Sequence, residues 1–299
     1  MILFYCTAME ELAKKIAENE KIVLGKISWG RFENGFPNLF IENVEGTVEG
    51  QDVAFLASFQ PENILEQLAV IYALPRYGAK SFKIILPFFA TGTMERIDEE
   101  GQVATAMTLA RMLSAIECET ALLVIYDIHS RLERFYFRKP ILPKLQSAVP
   151  LLQQVILGQD VTICFPDEGS WARFGYRFRE YSRILCHKER LGEKRKVKII
   201  EGSPKGKNVV IVDDLVITGG TLLECAKVLE QKGAKSVSAY ATHAVFPNRS
   251  WVNMKNFPFV NFWITDSCPE TIKSMETVSP ITKFEVLSLA PSIAKILAS

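Results

Sequence analysis

From Val209 to Thr221 the chain reads VVIVDDLVITGGT: an apolar run, two adjacent acids, a short turn with a threonine and two glycines, and a second threonine. This pattern suits an anion held by backbone. Gly219 and Gly220 let the chain curl so that successive N–H groups point at one phosphate. A helix starting near Thr221 adds a favourable dipole, and the hydroxyls of Thr218 and Thr221 donate further hydrogen bonds. Asp213 and Asp214, placed where the strand is expected to end, would repel that phosphate unless they face sugar hydroxyls or a Mg2+ shared with the ligand. A phosphorylated sugar meets both demands. His129, in LLVIYDIH from Leu122, falls just past another predicted strand end, the side on which doubly wound sheets bind ligands. From Lys188 to Lys198, KERLGEKRKVK holds six basic residues against two acids. Its place among strand and helix units suits a lid loop that carries cations to a polyphosphate, with Gly192 as its flexible point.

Such residues need a scaffold, and the hydropathy pattern supplies one. Val53 to Phe59, Phe82 to Phe89 and Ala121 to Ile128 are apolar without polar alternation, which predicts strands buried on both faces. Ile64 to Leu74 and Gln102 to Leu113 carry apolar residues at helical spacing, the second behind the acids Asp98, Glu99 and Glu100. The same grammar restarts after Arg138 to Pro150, whose three prolines suit a crossing between domains. Strands are then expected at Val161–Phe165, Arg183–His187, Val209–Val212, Ser236–Ala241, Val260–Ile264 and Phe284–Leu287, with helices at Ser170–Arg179 and Thr221–Lys232. The class is α/β.

The chain has 299 residues, 48% of them hydrophobic, with 35 basic against 34 acidic side chains, a net charge of +1. A core of that size excludes disorder, and so even a balance provides no general field for nucleic acid or an anionic membrane. Neither is expected as a partner. No apolar stretch reaches the ~18 residues of a membrane span, and the segment before Glu10 lacks the basic start of a leader. The six cysteines show no metal-like spacing and sit mostly in apolar runs, so they are read as reduced thiols without a role, in a cytoplasmic protein.

The stretch from Asp213 to Thr221 resembles the loop that phosphoribosyltransferases and 5-phosphoribosyl 1-diphosphate (PRPP) synthetases share, and by itself does not separate the two. Four other segments resemble the synthetases in the same order: PFFATGTMERIDEEGQVATA from Pro87, YDIHS from Tyr126, FPDEGSWARF from Phe165 and HKER from His187. The likeness runs over essentially the whole chain and is strongest to the plant-type class II group. It implies two similar phosphoribosyltransferase-like domains, each a mostly parallel sheet flanked by helices. Residues 1–146 would form the ATP side, with 286–299 packing back on it, and 147–285 the ribose-phosphate side. The implied activity is transfer of the β,γ-diphosphoryl group of ATP to the 1-hydroxyl of ribose 5-phosphate, giving PRPP and AMP.

By the same resemblance Lys188, Arg190 and His129 are catalytic, and Phe32, Asn34, Glu95, Arg96 and Asp98 bind ATP. Asp167, Gly169, Asp213, Asp214, Thr218, Gly219, Gly220 and Thr221 would bind ribose 5-phosphate. Mg2+ is the implied cofactor, with Asp127, His129 and Asp167 as its ligands. A homo-oligomer is implied because relatives complete the ATP pocket from a neighbouring subunit. Phe36, Thr93, Met94, Ala172 and Ile217 depart from the common pattern. Thr93, Met94, Phe36 and Ala172 motivate an alternative, a catalytically weak regulatory homologue that binds nucleotide or sugar phosphate. A phosphoribosyltransferase that consumes PRPP would need an acceptor pocket that the sequence does not reveal.

Overall fold

Runs of Val, Ile, Leu and Phe without polar alternation make strands that are dry on both faces, and the computed structural model places them in two largely parallel sheets. It describes residues 1–191, 194–256, 259–276 and 283–299. The chain divides into two units, residues 1–146 with 288–299 and residues 147–287.

The first unit runs β1 (Ile2–Tyr5), α1 (Glu10–Ile16), β2 (Val23–Leu24), β3 (Ile27–Arg31), β4 (Pro37–Ile41), α2 (Val44–Thr47), β5 (Asp52–Leu56), α3 (Ile64–Arg76), β6 (Ser81–Leu86), α4 (Thr105–Leu113), β7 (Ala121–Tyr126) and β8 (Ile141–Gln146). Its sheet has the order β2-β1-β5-β6-β7-β8, with every pairing parallel. The proline-bearing segment holds both β8 and the boundary between the two units, which falls between Gln146 and Ser147. Pro143 is accommodated there because β8 is an edge strand. β3 and β4 form a separate antiparallel hairpin.

The second unit runs α5 (Val149–Ile156), β9 (Thr162–Phe165), α6 (Glu168–Phe174), β10 (Ser182–Leu191), β11 (Lys194–Glu201), β12 (Asn208–Val216), α7 (Gly220–Gln231), β13 (Ser236–Ala244), β14 (Phe262–Thr265), α8 (Pro269–Glu276) and β15 (Phe284–Leu287); α9 (Ala290–Ala298) then returns to the first unit. There Tyr126 and Ser292 share a 2.8 Å hydrogen bond and Lys83 donates to the Ile296 carbonyl at 3.1 Å. The second sheet has the order β11-β10-β9-β12-β13-β14-β15. All its pairings are parallel except β10 with β11. Along β12 the two-residue period sends Val209 and Ile211 into one core, under α7, and Val210 and Val212 into another with Val149, Leu152 and Phe174.

Two local expectations change. The described part of the basic run is strand: residues 188–191 and 194–198 pair in the antiparallel β10–β11 hairpin, and Gly192 lies outside the described residues. β12 does not stop at Val212 but continues through both acids to Val216. Its pairing with β9 is described only as far as Ile211, while pairing with β13 continues to Ala244. Among the described residues no helix is long and apolar enough to cross a membrane.

Candidate functional site

In the second sheet the chain steps outward from β9 in opposite directions, to β10 on one side and to β12 on the other. The loops leaving β9 and β12 therefore flank a topological switch point, where open α/β sheets bind ligands. Asp167 leaves β9 as the N-cap of α6, its Oδ1 accepting from the Ser170 backbone at 2.9 Å. A side chain at Gly169 would approach that carboxylate to 3.2 Å.

Thr218 to Thr221 leaves β12. Gly219 caps α7 at φ 80°, in the left-handed region that favours glycine, and a Cβ there would lie 2.1 Å from the Met254 methyl. Around Gly220 the space is open, with only the Thr218 hydroxyl within 4 Å of where a Cβ would sit. Ser250 donates to the Ile217 carbonyl at 3.2 Å and ties the turn to the following loop. Lys188, reaching from β10, donates its Nζ to Thr221 Oγ1 at 3.0 Å. A cation thus stands on the phosphate loop, brought from 33 residues away. Arg190 lies two positions further along β10, opposite Arg195, and its side chain is outside the described residues.

The two acids follow the pleat. Asp213 continues the face of Val209 and Ile211, whereas Asp214 continues the face of Val210 and Val212, the side of α6. Arg173 of α6 meets it there, donating to Asp214 Oδ1 at 2.6 Å and lying 3.8 Å from Asp213 Oδ1. The sequence reading missed Arg173. Its signal is an arginine at inward helical spacing beside buried Ser170 and Phe174, a place where a charge needs a partner. Burial pushes the Asp213 carboxyl well above the ordinary carboxylate range, and the charges of Asp214 and Asp167 add to this while Arg173 opposes it. Trp171, a large residue for a ligand loop, packs edge-on against Phe165 and under the Arg183 guanidinium. His187 pairs with Glu168, whose carboxyl it lowers by hydrogen bonding, and His243 is buried against Ser267 at 2.9 Å.

In the first unit the loops after β6 and β7 emerge side by side because those strands are parallel neighbours. Asp127 ends β7 buried and at φ 34°, a costly conformation for a residue with a side chain, and its N–H donates to the Gln146 carbonyl at 3.0 Å. A Cβ on Gly92, in the β6 loop, would lie 3.6 Å from His129 Cβ and 3.4 Å from the Glu133 carboxylate, so that loop lies against the histidine. Tyr136 donates to the Glu95 carbonyl at 2.6 Å. Glu95 pairs with Arg96 at 3.2 Å, the arginine remaining 71% exposed, and the Asp98 N–H is bound by Gln102. Glu95, Arg96, Asp98, Asp127 and His129 thus share one pair of adjacent loops. Phe32 and Asn34 belong to a different element, the tip of the β3–β4 hairpin. There Asn34 Oδ1 accepts from the Phe36 N–H at 3.2 Å, and Arg31 pairs with Glu66 of α3. Asp127 and His129 lie in the first unit and Asp167 in the second.

A mostly parallel sheet carrying Asp-Asp and Thr-Gly-Gly-Thr at its switch point defines a phosphoribosyltransferase-type fold, and a second mostly parallel α/β unit accompanies it here. Residues 1–116 match the N-terminal domain of ribose phosphate pyrophosphokinase, and residues 186–264 match the phosphoribosyl transferase domain. Ribose-phosphate pyrophosphokinase 4 of Arabidopsis thaliana is 51% identical over 98% of this chain and 90% of its own length. The chloroplastic ribose-phosphate pyrophosphokinase 3 of Oryza sativa subsp. japonica is 50% identical over 99% of this chain and 76% of its own. The crystal structure of phosphoribosylpyrophosphate synthetase from Mycobacterium smegmatis superposes with a TM-score of 0.85 at 25% identity, covering 99% of this chain and 97% of that one. The chain belongs to the ribose-phosphate pyrophosphokinase family.

Proposed function

We infer that the protein is a ribose-phosphate diphosphokinase, moving the β,γ-diphosphoryl group of ATP to the 1-hydroxyl of ribose 5-phosphate and releasing AMP. The observation that carries this reading is the Lys188–Thr221 contact, which sets a cation directly on the turn suited to the sugar phosphate. The family relationship supports it. In this chemistry the sugar oxygen attacks the β-phosphorus and the bond from that phosphorus to the α–β bridging oxygen breaks, so the protein's work is alignment and neutralisation of oxygen charge. The Thr218 to Thr221 turn binds the 5-phosphate, while Asp213 and Asp214, held by Arg173, face the ribose hydroxyls. Lys188 and Arg190 neutralise charge as it develops. Arg96 and His129 bind the triphosphate, with Glu95 and Asp98 shaping their loop and Phe32 and Asn34 flanking the base.

Mg2+ fits the donors present, because hard cations take carboxylate oxygens and the Asp167, Asp213 and Asp214 group carries more negative charge than Arg173 offsets. Asp127 and His129 would hold such an ion in the first unit and Asp167 would hold one in the second, and when bound Mg2+ would neutralise charge on the phosphates. We also read the protein as a homo-oligomer, and as cytoplasmic on its six free cysteines, which cell fractionation tests. The deciding assay incubates the purified protein with ATP, Mg2+ and ribose 5-phosphate. Equal amounts of AMP and PRPP are expected; ligand binding without turnover sinks the reading.

A further inference from the structure

Three cysteines that no sequence spacing connects converge in the second unit. Cys164 lies on β9, Cys186 on β10 and Cys225 on α7, and all three are fully enclosed. Their sulfurs are separated by 3.7 Å between Cys164 and Cys186, 3.8 Å between Cys164 and Cys225, and 3.9 Å between Cys186 and Cys225. Sequence spacing gives these residues no role, since consecutive members are 22 and 39 positions apart. Strand register brings them together. Ile184 stands opposite Cys164 in the parallel pairing of β9 with β10, so Cys186, two residues on, shares its face, and α7 covers that face.

We propose that Cys164, Cys186 and Cys225 form a buried three-thiolate site for a soft d10 cation, namely Cu+. A point equidistant from three sulfurs spaced 3.7, 3.8 and 3.9 Å apart lies about 2.2 Å from each, close to the length of a thiolate bond to a first-row d10 ion. The cation therefore fits near the plane of the sulfurs without moving the backbone. Zn2+ asks for a fourth ligand, and the surrounding core residues Ile184, Ile211, Leu222 and Ala226 offer none. Soft thiolates without a fourth donor select Cu+. Each copper–sulfur bond forms as its thiol releases a proton; no electron moves and copper stays monovalent. The cation offsets one of the three thiolate charges, and the remaining charge stays in the core as a cost that the three copper–sulfur bonds must outweigh.

The position gives the site a consequence. Cys164 precedes Asp167 by three residues, Cys186 precedes Lys188 by two, and Cys225 follows Thr221 by one helical turn, so a bound cation ties together the strand before Asp167, the strand that carries Lys188 and the helix that follows the phosphate turn. Local opening of the edge hairpin or of α7 provides entry.

The test is an anaerobic titration of the reduced full-length protein with Cu+ buffered by bicinchoninate, and it needs no turnover, so its outcome is separate from that of the diphosphokinase reading. The parent should retain one copper per chain, with sulfur-only coordination in X-ray absorption and a raised thermal midpoint. Cys164→Ala, Cys186→Ala and Cys225→Ala should each release it, whereas Cys118→Ala, which alters a partly exposed thiol outside the cluster, should keep it. A parent that retains no copper against the chelator overturns the proposal whether or not the variants fold. Retention by Cys225→Ala equal to the parent's overturns it as well.

Discussion

Arg173→Met removes the cation that holds the two acids of β12. The guanidinium is 15% exposed, against 3% for Asp214 and 11% for Asp213, so the pair is almost dry and its loss strands carboxylate charge in the core. Removing one partner of a buried pair costs about 3–5 kcal/mol, and the opening toward the phosphate turn argues for the lower end, about 3 kcal/mol. For a chain of this size that lowers the thermal midpoint by roughly 6–12 °C. The loss must also depend on pH. The Asp213 carboxyl is raised in the folded protein, so the folded state keeps a proton that the unfolded chain gives up. This contribution is full below the ordinary carboxylate range and is lost as pH rises through the folded value. Arg173 lowers that value, so without it the costly span extends upward and the variant's deficit can only grow as pH rises. Adding Asp214→Asn to Arg173→Met removes one of the stranded charges and should recover part of the loss, a coupling that a double-mutant cycle reads directly. Thermal and urea unfolding across pH 5–8 are the assays. A variant within about 0.5 kcal/mol of the parent across that range, or a deficit that shrinks as pH rises, refutes the argument.

Lys188→Ala should lower turnover by about two orders of magnitude, the usual cost of a lost transition-state donor, with modest change in Michaelis constants. Lys198→Ala, an exposed neighbour on β11, should stay near the parent in the same steady-state assay. Thr221→Val removes both a phosphate donor and the Lys188 acceptor. It should weaken ribose 5-phosphate by about fivefold or more, on roughly 1 kcal/mol per hydrogen bond, while leaving the Michaelis constant for ATP nearly unchanged. Phe32 and Phe36 are 55% and 63% exposed on the β3–β4 hairpin. If they help to complete a nucleotide pocket in a partner, light scattering should show at least a dimer, and activity should fall on dilution below its dissociation constant.

What the sequence determined by itself is what chemistry within a short stretch of chain can fix. The α/β class was legible because strands dry on both faces must be continuous apolar runs, as at Ala121–Tyr126 and Ser81–Leu86. The Thr-Gly-Gly-Thr turn was legible because an anion nest is built from consecutive N–H groups and needs Gly219 at positive φ. Residue types could not show which strands become neighbours. The β10–β11 hairpin took a basic run for strand because antiparallel pairing satisfies its backbone, and β12 ran on through Asp213 and Asp214 because Arg173, from another element, compensates the acids there. Lys188 on Thr221, Arg173 on Asp214 and the three converging cysteines are each set by strand order and by the face a side chain takes in the pleat. Contacts between distant segments depend on register and packing across the whole sheet, and only the tertiary structure decides them.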